Sequence, residues 1–326
     1  MNFHPQRTVR RVTIVLLITG ILAVLSLASG QFHQTRASSA TMYSVTDLGT
    51  LGGTFSGAGA INNRGEVTGI SAFAGDVALR GFIWKNGVMT DLGTLGGQNS
   101  ATENRGLNNR GQVAGAAETA TVDPTSATGS LEFHAFLWRQ GKMIDLGTLG
   151  GAPDSFAYAI NDHGQVVGEN ITNVQTFMSN EAGQGFIWQD GKMRLLGTLG
   201  GTTSSPHAIN NRGQVAGGSS LPGDVTQHAF LLQDGHMADL GTLPGDVFSE
   251  ATAITEQGQV LGLSCSSKGC RATLWDKSTV IDLNTLISPA SGWQLTDAEA
   301  ENSRGQIVGG GLHNGLFRAF LLTPVH

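Results

Sequence analysis

Short apolar runs alternate with polar turns along most of the chain. A representative stretch has apolar residues at 157–160, the turn Asn161-Asp162-His163-Gly164, and a second run at 165–168. Asn begins such turns and Gly accepts a positive φ, so the stretch predicts two antiparallel strands joined by a tight hairpin. Runs this short, bounded by turn residues, are typical of strands.

Three motifs recur in step, each of them six times. One is D-L-G-T-L-G-G, as at residues 145–151; the second is G-x-V/I-x-G, as at residues 164–168; the third is H-A-F-L-W, as at residues 134–138. Successive copies of the second motif begin 45 to 53 residues apart. A period in this range indicates propeller blades or solenoid coils.

Each repeat accommodates four short strands, which in one unit are residues 157–160, 165–168, 185–188 and 192–196. Tight turns join the first strand to the second and the third to the fourth, and a longer, variable loop joins the second to the third. Four antiparallel strands per unit of this length predict a propeller blade.

The order of the motifs at the two ends predicts a closed ring. Residues 43–51 supply a fourth strand with no third strand before it, whereas the last unit ends after its third strand at residues 318–322. We therefore expect an all-β, six-bladed β-propeller over residues 41–326, closed by pairing of the N-terminal strand with the C-terminal blade. An open solenoid would need polar capping units, and none is visible. The small residues of strand 57–59 are expected to lie at the crowded centre.

The combination of D-L-G-T-L-G-G, I-N-N-x-G-Q-V-x-G and H-A-F-L-W resembles the bacterial HAF-repeat family of probable extracellular repeat proteins. The resemblance covers nearly all of residues 43–326, and the last two units depart from it most. It implies export and a repeat fold. It implies no activity and no catalytic residues.

The first forty residues differ from the rest of the chain. Three Arg precede an uncharged stretch at residues 12–28, and small residues follow it. This pattern predicts a signal peptide over residues 1–40, and the alternative is an uncleaved N-terminal membrane anchor. Both place the remainder outside the cytoplasm, in the periplasm or secreted.

Charge narrows the class of partner. Residues 1–40 hold four Arg and no acid, so the remainder carries a formal charge of −10 against −6 for the whole chain. An acidic protein is a poor partner for nucleic acid or for an anionic membrane surface.

The two cysteines, Cys265 and Cys270, are expected to form a local disulfide after export. A metal site is the weaker alternative, because no second Cys or His pair has matching spacing.

A residue at the start of each third strand is matched by an Asp of the fourth strand. The predicted pairs are Arg80 with Asp91, His134 with Asp145, His228 with Asp239, Arg271 with Asp282 and, across the closure, Arg318 with Asp47. The unit that has Gln184 in this position also lacks the Asp and has Leu195 instead. Because the pairing repeats, we interpret it as structural rather than catalytic or metal-binding.

The loops between second and third strands vary most, and variable loops on a rigid scaffold often bind ligands. This loop face is the candidate site, although solvated connectors would look the same. The acidic residues assigned to it are Asp76, Asp123, Glu132, Glu169, Glu181 and Asp224. No spacing pairs them as the two carboxylates of a glycosidase, no catalytic or dinucleotide motif is present, and no cofactor or metal is expected.

Three functions stay open from the sequence. We expect a monomeric, exported, non-enzymatic scaffold that binds a protein or a glycan through the loop face. The first alternative is a carbohydrate-active hydrolase or lyase with acidic residues at the axial mouth. The second is a structural component of the envelope or matrix.

Overall fold

The computed structural model describes residues 45–126, 129–172, 183–302 and 304–325, so the predicted signal peptide or anchor lies outside the described residues. Residues Asp47–His326 group as one compact unit. The described residues are almost entirely β-strand and tight turn, as the repeat predicts. None of their helices has the length and apolar character needed to cross a bilayer.

The first five repeats each form a four-stranded antiparallel meander, which we call a blade. Blade 1 consists of β1 (Gly52–Ile61), β2 (Val67–Phe73), β3 (Leu79–Lys85) and β4 (Val88–Asp91). Blade 2 consists of β5 (Gly96–Leu107), β6 (Val113–Val122), β7 (Leu131–Arg139) and β8 (Lys142–Gly147). Blade 3 consists of β9 (Asp154–Ile160), β10 (Val166–Ile171), β11 (Gln184–Gln189) and β12 (Lys192–Leu195).

The second half of the chain repeats this order with one irregular member. Blade 4 consists of β13 (Ser204–Ile209), β14 (Val215–Ser220), β15 (Gln227–Gln233) and β16 (His236–Asp239). Blade 5 consists of β17 (Phe248–Ile254), β18 (Val260–Ser266), β19 (Gly269–Asp276) and β20 (Thr279–Asp282). Blade 6 consists of β21 (Trp293–Leu295), β22 (Ala300–Glu301), β23 (Ile307–His313) and β24 (Leu316–Leu322). In blade 6, β21 and β22 both pair with β23 and together replace one first strand.

Apolar cores lie between consecutive blades. The Phe of the H-A-F-L-W motif is buried in each of blades 1 to 4, as Phe82, Phe136, Phe186 and Phe230. One core packs Phe136 of blade 2 against Ile83 and Leu92 of blade 1, and similar cores join blades 2–3, 3–4, 4–5 and 5–6. Burial of apolar surface between neighbours, rather than within one sheet, therefore holds the blades together.

The Asn turns also bond from blade to blade. In blade 2, the Asn108 side chain accepts from its own turn through Oδ1 and donates from Nδ2 to the Asn161 carbonyl of blade 3, at 2.9 Å. Asn62, Asn161 and Asn210 donate to the following blade in the same way, at 2.9–3.0 Å. We call this ladder the Asn belt. It ends at Thr255 of blade 5, whose side chain has no amide to continue it.

The predicted ring closure is not formed among the described residues. Residues 45–50 have no regular strand, and Leu51 makes a single parallel bridge to Phe73. β24 pairs with β23. Ile61 of blade 1 is 71% exposed, whereas Ile160, at the same position of blade 3, is buried. Leu321 of blade 6 is 59% exposed. The blade count and the closure therefore stay predictions.

The expected disulfide is present. Cys265 and Cys270 are directly opposite each other in the β18–β19 hairpin, with an S–S distance of 2.07 Å. The bond joins the two strands near the turn that connects them.

Candidate functional site

Each of the first five blades has an irregularity in its first strand. In β9 the register with β10 slips between Ala157 and Ala159, which leaves Tyr158 as the extra residue of a β-bulge. The same slip occurs at Gly59, His207 and Thr252, and a longer one spans residues 103–106 of β5. Bulges re-aim side chains and are common beside active sites.

The bulge explains the second glycine of the G-x-V-x-G motif. In blade 3 this residue is Gly168, and a Cβ there would overlap the carbonyl oxygen of Phe156 on the bulged strand. Gly69, Gly217 and Gly262 face the equivalent carbonyl oxygen in their own blades. The repeated glycine is thus required by the close approach of two backbones.

The position of the bulged residue carries a different residue type in each blade. This position lies three residues before the first residue of the Asn turn. From the first repeat to the sixth it is occupied by Gly59, Arg105, Tyr158, His207, Thr252 and Glu299. Of the three positions that follow, the first is Ala, the second Ile or Leu, and the third Asn in five of the six repeats each. The scaffold is therefore nearly uniform, while the position before these three is chemically diverse.

Several of these side chains meet with nearby carboxylates in one group, which we call the inner cluster. Its members are Glu103, Arg105, Tyr158, Glu169, His207, Glu250 and Glu299. Tyr158 donates its hydroxyl to Glu169 at 3.1 Å, and its ring stacks on the His207 ring with centroids 6.2 Å apart. His207 Nε2 lies 2.8 Å from Glu250 Oε1.

The inner cluster draws on five blades. Tyr158 and Glu169 belong to blade 3, His207 to blade 4 and Glu250 to blade 5. Arg105 of blade 2 donates to the carbonyl oxygen of Glu299 beside blade 6. The first strands of blades 2 to 6 therefore converge on one polar region.

Burial and mutual contact shift the ionisation of the cluster. Burial would lower the pKa of His207, but the adjacent Glu250 and Glu169 outweigh it and the net shift is upward. Burial would raise the pKa of Glu250, yet its bond to His207 lowers it. Both shifts favour the charged forms, as expected for two side chains that pair with each other.

The remaining carboxyl groups of the cluster are shifted in the other direction. Burial raises the pKa values of Glu103, Glu169 and Glu299, and Asp297 adds to the effect at Glu299. The cluster thus combines an ion pair with carboxyl groups that hold their protons more tightly than usual. The side chains of His207 and Glu250 are 32% and 28% exposed, but the His207 Nε2 atom that faces Glu250 is buried.

Four of the predicted cross-hairpin pairs are in contact. The Arg80–Asp91 and Arg271–Asp282 ion pairs measure 3.4 and 3.1 Å, and His134–Asp145 and His228–Asp239 both measure 3.0 Å. The bond to Asp145 and the surrounding acids raise the pKa of His134 against the opposing effect of burial. These contacts bridge two strands of one blade, which agrees with a structural role.

The fifth pair, Arg318 with Asp47, is not formed. Asp47 accepts instead from its own Gly49 amide, and Arg318 donates to the Phe317 carbonyl oxygen. The physical reason is the missing strand pairing, because in the other blades the hairpin places the Asp opposite the residue two positions after the Arg or His, so that the two side chains meet diagonally.

Three of the six loop-face acids accept hydrogen bonds from neighbouring backbone and hydroxyl groups. Asp76 accepts from the Thr54 amide and hydroxyl at 2.8 and 2.9 Å, and Asp224 accepts from the Thr202 amide at 2.8 Å. Asp123 caps its own loop through Thr125. These contacts occupy the carboxylates and favour a structural role over ligand binding.

The other three loop-face acids lie in different parts of the chain, and the two among the described residues form no common site. Glu132 lies 3.8 Å from His134, on the loop side of blade 2. Glu169 is in β10 and belongs to the inner cluster, whereas Glu181 lies outside the described residues. Within the described residues, no group of three or more His, Cys, Asp and Glu side chains is arranged as a metal site.

Sequence reasoning missed the inner cluster. The strand at residues 57–59 is composed of small residues, as expected for a crowded centre, but the equivalent positions in blades 2 to 6 are polar or aromatic. Alignment of the six repeats on the Asn turn would have revealed a single position that changes charge and size in every unit. That signal, rather than a catalytic motif, was present in the sequence.

Comparison with known proteins gives structural likeness alone. No family model matches the chain. No curated protein matches it either. Among solved structures, the β-propeller domain of the Trilobed protease from Pyrococcus furiosus is 10% identical, with 71% of this chain and 80% of that chain covered and a TM-score of 0.39. A gluconolactonase from Xanthomonas campestris is 12% identical, with 84% and 89% covered and a TM-score of 0.35.

Proposed function

We propose that the protein is an exported binding scaffold of the HAF-repeat type that holds a hydroxyl-rich ligand, such as a glycan, at the inner cluster. The observation that carries this proposal is the position of the bulged residue, which differs in all six repeats, while each of the three positions after it keeps one residue type or a close equivalent in five of the six. A purely structural ring would have no need of six different side chains there. The proposal moves the site from the loop face to the inner strands.

The chemistry of the cluster suits a neutral, hydroxyl-rich ligand. Carboxyl groups with raised pKa values can donate as well as accept hydrogen bonds, and the His207–Glu250 pair supplies a charged donor and acceptor. A glycan offers hydroxyl groups that act in both ways. Such sites fix orientation through a few placed polar groups.

A binding screen with point variants tests this proposal. We would immobilise a panel of neutral glycans and measure binding of the protein, of His207→Gln and of Glu169→Gln. The matched control is His163→Gln, at an exposed turn of blade 3. Loss of more than about tenfold in affinity for both cluster variants, with the control unchanged, supports the site, since His207→Gln breaks the pair with Glu250 and Glu169→Gln changes the donor and acceptor pattern of the carboxyl group. Glycan binding that ignores both substitutions would refute it.

A second candidate function is acid–base cleavage of a glycan. It is favoured by the raised pKa values of Glu103, Glu169 and Glu299, because a protonated carboxyl group is what a general acid requires. Release of new reducing ends from a polysaccharide panel, abolished by Glu169→Gln, would establish it. Binding without turnover would leave the scaffold function alone.

We also propose that the ring has six blades and is closed by the N-terminal segment. The N-terminal segment makes the same hydrogen bonds to blade 1 that other D-L-G-T-L copies make to the blade that follows them. Ser56 Oγ donates to the Gly49 carbonyl at 2.7 Å, and the Leu51 amide donates to Ser71 Oγ at 2.9 Å. The equivalent contacts elsewhere are Ser155 with Gly147, Ser249 with Gly241, Leu199 with Ser219 and Leu243 with Ser264.

Cross-linking tests the closure. In the other blades the Asp of the fourth strand pairs with the third residue of the H-A-F motif, as Asp91 does with Phe82. The same register places Asp47 beside Phe320 and Val45 beside Leu322. A Val45→Cys/Leu322→Cys variant should therefore form a disulfide, whereas Val45→Cys/Val308→Cys should not, because Val308 lies on the next strand. Free thiols in the first variant would argue against closure.

A further inference from the structure

The two tight turns of each blade lie at the same end of the sheet. Lys85, next to the turn between β3 and β4, lies 2.9 Å from Glu66, next to the turn between β1 and β2. Gln165 donates to Gln189 at 2.9 Å in blade 3, and Gln214 to Gln233 at 2.8 Å in blade 4. We call this end the turn face. It is opposite the loop face and separate from the inner cluster.

Exposed cations collect on the turn face of blades 2 to 4, although the chain as a whole is acidic. They are Arg110, Arg139, Lys142, Lys192, Arg194 and Arg212, which we call the basic arc. The acids on the same turns are fewer: Asp162, Asp190 and Asp234. Glu66 of blade 1 borders Gly111 but is already paired with Arg64 and Lys85. Asp162 is already occupied by hydrogen bonds from Asn109 and Asn211. The arc is therefore a local basic surface on an acidic protein.

Two grooves lie within the basic arc on neighbouring blades. The first, of about 230 Å³, is lined by Arg110, Gly111, Gln112, Arg139 and Gln140. The second, of about 400 Å³, is lined by Ile187, Gln189, Asp190, Lys192 and Arg194. Each groove thus presents two cations together with at least one amide side chain, and the second groove also contains Asp190. Guanidinium and amide groups in this arrangement donate to carboxylate or sulfate oxygens.

The Asn belt fixes the spacing of the grooves. Asn108 and Asn161 link the turns of blades 2, 3 and 4 through buried hydrogen bonds. Arg110 itself donates to the Asp162 carbonyl oxygen of blade 3 at 3.3 Å, which holds its stem across the boundary between the blades. A polymer with regularly spaced charges could therefore engage both grooves without reorganising the surface.

We infer that the basic arc binds an acidic polysaccharide, with the Arg110–Arg139 groove as the principal subsite. The recognised chemistry is a repeated carboxylate or sulfate on a sugar chain. A nucleic acid fits less well, because single-stranded binding adds base stacking on exposed aromatic rings. The Trp side chains at the ends of the third strands are buried or half-buried, as Trp188 and Trp138 are.

The test compares anionic polymers on the purified full-length protein. The probes are polygalacturonate, dextran sulfate, neutral dextran and double-stranded DNA of similar length, each measured at low and high salt. The variant Arg110→Gln/Arg139→Gln removes two charges from the first groove. The control Lys277→Gln/Arg304→Gln removes two charges from the turn face of blades 5 and 6.

We expect binding of the carboxylated or sulfated glycan that weakens steeply with salt and falls at least tenfold in the groove variant. The control should stay within about twofold, and neutral dextran should not bind. Three results would overturn the inference: no binding of either acidic glycan, equal loss in the control, or equal or tighter binding of DNA. Equal thermal unfolding of the two variants would show that both are folded.

Discussion

Replacement of Asp154 by Asn should stabilise the protein in a pH-dependent way. Asp154 is 1% exposed, and its Oδ1 accepts from the Phe133 amide at 2.7 Å. Burial, reinforced by Asp123 and Glu132, raises its pKa from 3.8 to about 6. An amide preserves the acceptor and removes the charge. Blade 2 already uses this solution, because Asn99 accepts from the Leu79 amide at 3.0 Å.

The magnitude follows from the shift in pKa. A difference of roughly two units at ~1.4 kcal/mol per unit corresponds to about 3 kcal/mol once the pH exceeds the folded-state pKa. Interaction with Asp123 and Glu132 means that part of this cost is shared, so we expect a gain of about 1–3 kcal/mol for Asp154→Asn at pH 8. The corresponding rise in melting temperature is about 2–8 °C.

The pH profile distinguishes this mechanism from better packing. Below about pH 4 the Asp154 carboxyl group is protonated in both the folded and the unfolded chain, so the two proteins should be equally stable. Between about pH 4 and 6 the unfolded chain loses the proton while the folded protein keeps it, and the parent protein becomes progressively less stable than the variant. Above this range the gain should be constant.

Urea unfolding at a series of pH values provides the measurement. The control is Asp145→Asn. Burial acts to raise the pKa of the Asp145 carboxyl group, but the bonds from His134 and Gly147 make the net shift downward. The folded protein therefore favours the charged carboxylate, and Asp145→Asn should destabilise it at pH 7. An Asp154→Asn gain that is the same at pH 4 and pH 8, or a loss at pH 8, would refute the assignment of a buried, poorly ionised carboxyl group.

Three further substitutions test the scaffold. Asn161→Ala removes a side chain with four hydrogen bonds and should lower the free energy of unfolding in urea by about 2–4 kcal/mol. The control Asn302→Ala, at an exposed turn, should cost about 1 kcal/mol, and equal costs would contradict the role of the Asn belt. Glu66 has a pKa of about 2 because its bonds to Lys85, Asn62 and Arg64 outweigh burial. Glu66→Gln should therefore lower the free energy of unfolding by about 1 kcal/mol at pH 7, and this difference should disappear as the pH falls from 4.5 towards 2. A difference that is unchanged in acid would contradict the ion pairs. Cys265→Ser/Cys270→Ser should lower the melting temperature measurably, and an unchanged value would show that the hairpin does not need the bond.

The strand pattern was largely readable from the sequence because it depends on local chemistry. Asn161 to Gly164 specify a turn wherever they occur, and Asn86-Gly87 does the same for the second hairpin, with both residues at positive φ. The pairing of Arg80 with Asp91 could be predicted for a similar reason, since the hairpin places the two side chains diagonally across from each other, with Asp91 opposite Phe82. Each of these inferences needs one blade and no knowledge of its neighbours.

The inner cluster could not be predicted in the same way because it depends on long-range geometry. Tyr158 and His207 are 49 residues apart in sequence and meet only when two first strands pack side by side. The bulge that re-aims Tyr158 is itself hidden in the sequence, where Ala-Tyr-Ala-Ile reads as an ordinary strand. Glu169 was assigned to a loop, but β10 extends past it to Ile171 and carries the carboxylate inward.

The one-way sense of the Asn belt has a consequence for how local unfolding affects neighbouring blades. Each side-chain amide reaches forward, from a blade to the backbone of the blade that is synthesised after it, as Asn62 does to Asn108 and Asn161 to Asn210. Local unfolding of one blade would therefore leave the side-chain amide of the blade before it without its backbone acceptor. The blade after it would keep all the hydrogen bonds of its own Asn side chain, so damage at one blade is expected to loosen the turn on its N-terminal side more than the turn on its C-terminal side.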